Sequence, residues 1–159
     1  MNTTARIAAA TVALLAAPLV LAACAGASNA DIEAQITEGV RGADPAIVDV
    51  AVQSTDGVAG QTVWVRVYVD PEADPDLASV MDAALPALLA SSPVRPIGFY
   101  LDVHDAPKPD DVDFRSRSGL DIADAAKELG IYNWYSDRLI GAGTDQLEGK
   151  YGTWDELHG

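Results

Sequence analysis

Four valines at alternate positions, Val63, Val65, Val67 and Val69, interleave with Thr62, Trp64, Arg66 and Tyr68. A period of two sends the two sets to opposite faces of a β-strand. A similar alternation precedes it, with Val48, Val50 and Val52 against Asp49, Ala51 and Gln53. Another follows over Ile97–His104, with Ile97, Phe99, Leu101 and Val103 against Gly98, Tyr100, Asp102 and His104. Between the first two strands, Thr55-Asp56-Gly57-Val58-Ala59-Gly60 carries turn residues, which predict a hairpin.

Elsewhere the apolar spacing widens to that of a helix. Ile32, Ile36 and Val40 share one face of a helix over Asp31–Arg41, with Ser28 or Asn29 as cap and Gly42 as stop. Leu77, Val80, Met81, Ala84, Leu85, Leu88 and Leu89 share a face of a second helix, with Asp74-Pro75 read as cap and first position. Pro86 lies inside it, so a kink or break near Asp82 is expected. After the loop Ala106–Asp111, Val112–Arg117 reads as a fourth, edge strand. Ser118 and Asp121 resemble a capping box opening a helix through Leu129, which stops at Gly130. An aromatic tail with Tyr132, Trp134, Tyr135, Tyr151 and Trp154 has weak periodicity, and Thr153–Leu157 fits a last helical turn.

The order α-β-β-α-β-β-α predicts an α+β two-layer sandwich, with a three- to four-stranded mixed sheet and helices on one face. A right-handed crossover through the second helix sets the third strand parallel to the second. The domain runs over residues 31–130, and 131–159 pack on it as an aromatic carboxy-terminal segment.

The amino terminus is of another kind. Arg6 precedes an apolar stretch, Ile7–Leu21, which suits the core of a secretory signal. A spanning helix needs about 20 apolar residues, and this stretch is shorter and holds Pro18. The run Leu21-Ala22-Ala23-Cys24, ending on the sole cysteine, resembles the lipobox of bacterial lipoproteins. That resemblance implies a signal over 1–23, cleavage before Cys24, and a diacylglyceryl group on the Cys24 sulfur. Residues 24–30 would then be a short tether to the extracytoplasmic face of the cell membrane. Cleavage after Ala25 or Ala27, with Cys24 incidental, is the competing reading.

The formal net charge is −14, and removing residues 1–23 takes away Arg6 and no acid. Such a surface disfavours nucleic acid, whose binding neutralises phosphates with Lys and Arg. It also resists close adsorption to anionic lipid.

If the valine rows face the helices, Trp64, Arg66, Tyr68, Tyr100, Asp102 and His104 share the other face as a candidate binding surface. Three covers compete for it: the tail with Trp134 and Tyr135, a partner or second copy, or a small ligand. His104 lies between Asp102 and Asp105, where a carboxylate could orient it as a general base. No nucleophile motif accompanies it, so no residue is assigned to catalysis. Asp70, Glu72, Asp74 and Asp76 alternate, but Pro75 and Met81 stand where a calcium loop needs glycine and glutamate. Asp110, Asp111 and Asp113 leave an irregular calcium site open, while zinc lacks a Cys/His cluster. No metal or cofactor is assigned.

The helix-strand-strand-helix-strand order over Asp31–His104 is similar to that of the BON domains of bacterial envelope proteins, which implies phospholipid contact. The run Val63-Trp64-Val65-Arg66-Val67 lacks that family's glycine, and no closing Gly-Val lies around Ser92–Pro96. The sequence thus reads as a lipid-anchored envelope protein with a non-catalytic role, binding an envelope protein or a small ligand. The alternatives are a small hydrolase or ligand sensor using Arg66, Tyr100, Asp102 and His104, and a BON-like module.

Overall fold

Ser28 and Asp31 form a reciprocal capping box that starts α1 (Asn29–Arg41), and Ile32, Ile36 and Val40 are fully buried along its inner face. The computed structural model describes residues 27–131 and 136–159, so Cys24, Trp134 and Tyr135 lie outside the described residues. Gly39 does more than weaken α1: a Cβ there would stand 2.5 Å from that of Ser91, so its absence allows α1 to cross close to α2 (Leu77–Ser91).

β1 (Ile47–Gly57) and β2 (Gly60–Val69) form the expected hairpin, and β3 (Gly98–Asp105) lies parallel to β2. The alternation places Val63, Val65, Val67 and Val69 against α1 and α2, where all are buried. β1 departs from its expected register at the start. A bulge between Ile47 and Asp49 turns Ile47 into the core and leaves Val48 47% exposed.

α2 is capped by Asp76 rather than Asp74, because the Asp76 carboxylate accepts Ala78 N–H and Ser79 O–H while Asp74 takes a left-handed φ of 44°. The helix continues through Pro86 to Ser91. Asp82, whose carbonyl loses its donor at Pro86, lies on the exposed side, where water can replace the missing bond.

The carboxy-terminal third differs most from expectation. Val112–Arg117 is not a strand. The fourth strand is β4 (Ile140–Gly143), antiparallel to β3, which completes a mixed sheet of order β1-β2-β3-β4. Ser118 caps nothing; α3 (Ala123–Glu128) begins five residues later, with Asp121 accepting Ala123 N–H. α4 (Thr144–Tyr151) and α5 (Trp154–His158) follow, the latter opened by a second capping box between Thr153 and Glu156. The architecture is therefore α+β, with α3, α4 and α5 gathered on α2. No helix among the described residues is long and apolar enough to cross a membrane.

The outer edge of β1 is occupied by side chains. Glu33 accepts Ser54 N–H at 2.8 Å, Asp49 accepts Val50 N–H at 2.8 Å, and Lys108 donates to the Val50 carbonyl at 3.4 Å.

Candidate binding face of the sheet

Because β2 and β3 run parallel and in register, the six residues read from sequence as one surface meet as three cross-strand pairs: Trp64 with Tyr100, Arg66 with Asp102, Tyr68 with His104. Trp64 and Tyr100 stack with centroids 4.1 Å apart and planes within 17°. Arg66 grips Asp102 through Nε, at 3.0 and 3.2 Å, and through Nη2 at 2.7 Å. Tyr68 and His104 lie ring to ring at 5.9 Å, and His104 Nε2 is 3.2 Å from Asp102 Oδ2.

The face is not open throughout. Residues 106–121 leave β3 and fold back across it. Arg66 donates Nη1 to the Asp113 carbonyl and Nη2 to that of Ser116, while Phe114 lies over its guanidinium at 5.4 Å. These bonds explain why Val112–Arg117 forms no strand: a buried arginine takes its carbonyls in place of a neighbouring ladder. Further along, Leu120 N–H bonds the Val103 carbonyl at 2.7 Å, and Arg138 holds the Gly119 carbonyl at 2.7 Å. Arg66 and Asp102 are consequently 3% and 4% exposed.

Under this cover the electrostatics are those of a closed ion pair. Burial works against the Arg66 charge, but the Asp102 carboxylate outweighs it and raises the Arg66 pKa. Burial pushes the Tyr68 phenol up, with the nearby Arg66 charge opposing. Among the described residues the Tyr68 hydroxyl has no hydrogen-bond partner. Burial likewise pushes Asp49 up, yet bonds from Val50 N–H, Arg41 and Lys108 prevail and hold it below the ordinary carboxylate range.

Trp64 and Tyr100 are half-buried at the other end of the face, with Arg117 5.3 Å above the indole ring. Toward β4 the face is bare backbone, because β3 and β4 place glycines there. Tyr100 pairs with Gly141, and Gly98 pairs with Gly143. A Cβ at Gly98 would lie 2.9 Å from the Ala142 carbonyl oxygen, so that position requires glycine. The result is a cavity of about 210 Å³ floored by the backbone of β3 and β4 and bounded by Thr62, Ile97 and Tyr100.

Sequence reasoning brought the six residues to one face but missed Arg117, Gly141 and Gly143. The only available signal was Gly141-Ala142-Gly143 itself, two glycines at the period of a strand. Among the described residues, no three His, Cys, Asp or Glu side chains gather closely enough to hold a metal ion. At the Asp110–Asp113 cluster, Asp113 instead accepts Arg115 N–H at 2.9 Å. Comparison with protein-family models, with curated proteins and with solved structures finds no match.

Proposed function

We propose that this chain is a lipid-anchored protein of the extracytoplasmic face of the cell membrane. In this reading it binds an extended segment of another envelope protein along the Trp64–Tyr100 end of the sheet. The observation that carries the binding role is the half-buried Trp64–Tyr100 stack beside the glycine-floored cavity, next to the Arg66–Asp102 pair that residues 106–121 seal. At about 210 Å³ the cavity is smaller than the roughly 300–1,000 Å³ of typical small-molecule sites. It suits one side chain of a polypeptide lying over the strands, with the aromatic stack as a rigid contact and Arg117 beside it. The anchor rests on Leu21-Ala22-Ala23-Cys24. A hydrolytic role has less support: Asp102 is already held by Arg66, so it orients His104 only in part.

A photo-reactive residue at Gly141 in intact cells should cross-link to one polypeptide, and Trp64→Ala should abolish that product. The same probe at Lys127 on α3 should give none. Equal cross-linking from both positions, or a product indifferent to Trp64→Ala, would defeat the binding role.

A further inference from the structure

The place where the chain leaves the domain fixes which end can face a membrane. α1 runs antiparallel to β1, so its first turn lies beside the β1–β2 hairpin. Asn29 is fastened there: its Nδ2 donates to Asp56 Oδ2 at 3.2 Å, and its Oδ1 accepts from Ser54 Oγ at 3.2 Å and Gln61 Nε2 at 3.0 Å. Four peptide units separate Cys24 from the cap Ser28, at most about 14 Å of extended chain. An anchor at Cys24 therefore holds the hairpin end close to the bilayer.

That end is apolar at its tip. Gly57 pairs with Gly60, leaving Val58 and Ala59 as the turn. Two-residue turns ordinarily use Gly, Asn or Asp. Here Val58 stands fully exposed, and Ile97, 50% exposed, places a methyl group against Gly60 while also forming the rim of the cavity. The acids nearest the tip are engaged, Asp31 by Ser28 and Asp56 by Asn29.

The opposite pole is acidic. Asp70, Glu72, Asp74, Asp76, Asp105 and Asp110 are all exposed at or beyond the carboxy-terminal ends of β2 and β3. The ten residues of β2 set the two poles about 33 Å apart. That is several times the ~8–10 Å screening length of physiological salt. One orientation removes these acids from the field of an anionic leaflet, and the reverse presses them into it.

We infer that the domain stands on this hairpin, with Val58, Ala59 and Ile97 in the interface of the bilayer that holds the acyl chains and the acidic pole directed away. The inference rests on the proposed anchor at Cys24 and adds the surface that meets the lipid.

Cys24 is the sole cysteine, so in the acylated protein Val58→Cys or Ala73→Cys supplies a single free thiol for an environment-sensitive fluorophore. Each full-length acylated variant would be reconstituted into vesicles of zwitterionic and anionic phospholipid carrying a nitroxide quencher. The label at position 58 should shift to the blue and lose emission, whereas the label at 73 should behave as in water. Vesicle-bound protein with both labels equally quenched, or with position 58 in water, overturns the orientation and leaves the anchor standing. Acylation-competent protein recovered wholly in the aqueous phase overturns the anchor, and the orientation with it.

Discussion

Arg66 and Asp102 stand directly opposite each other on adjacent parallel strands, joined by bonds of 2.7, 3.0 and 3.2 Å beneath a loop whose carbonyls take two further guanidinium donors. Removing one partner leaves a buried charge uncompensated, which costs about 3–5 kcal/mol. Asp102→Ala should lower stability by that amount in urea unfolding. Replacing both residues with apolar ones of similar volume should recover much of the loss, since a buried pair often contributes little net stability.

Tyr68 presents the reverse case. Among the described residues its buried hydroxyl has only the nearby Arg66 guanidinium beside it and no partner in good hydrogen-bond geometry, and an unsatisfied group costs about 1–3 kcal/mol. Tyr68→Phe should therefore stabilise the protein, by up to that amount. The phenol's folded pKa lies above its ordinary 10.0, so its contribution is intact below that value and is lost as pH rises through the folded pKa. The substitution should accordingly reduce the alkaline decline measured by denaturant midpoints. A destabilised Tyr68→Phe protein would mean that the hydroxyl is satisfied.

Asp49 gives the opposite pH dependence. Its folded pKa lies below the ordinary 3.8, so its contribution is present above that value and is lost as pH falls through the lowered folded pKa. Unfolding midpoints measured between about pH 5 and pH 2 should decline less steeply in Asp49→Asn than in the unaltered protein. Asp49 also holds Lys108 at 3.1 Å, so the variant should show faster amide exchange in residues 106–121 at neutral pH.

The proposed anchor is tested by fractionation. Cys24→Ala should shift the protein from the membrane fraction to the medium, or leave it as uncleaved precursor of higher mass. Two acyl chains give stable anchoring, at about 0.8 kcal/mol per buried methylene. Unchanged membrane retention of a cleaved Cys24→Ala protein would refute lipidation.

What could be read from the sequence depended on repetition. β2 and β3 alternate strictly over Thr62–Val69 and Gly98–His104, and α1 and α2 repeat their apolar positions turn after turn, so face and register followed together. β4 has four residues, two of them glycine, and no outward side chains to alternate. It exists because Phe99, Leu101 and their neighbours offer a pairing edge, a cause distant in sequence. Val112 and Phe114 do alternate, yet their segment serves as a cover, since Arg66 binds its carbonyls from some fifty residues away. At the candidate site, the six residues were legible because one strand pair presents them. The sealing of Arg66 and Asp102 was not, because it depends on where the loop lands.

The side chains along the outer edge of β1 have a consequence for how copies of the chain meet under the proposed anchor. Anchored proteins share two dimensions, so copies meet often, and a bare strand edge is a template for the next copy. Glu33 and Asp49 already occupy the amides of Ser54 and Val50, and Lys108 occupies a carbonyl between them. A neighbour arriving in strand conformation finds those groups taken and charges in its path. These three contacts oppose edge-to-edge pairing between copies, which would matter most if the proposed anchor gathers them on a membrane.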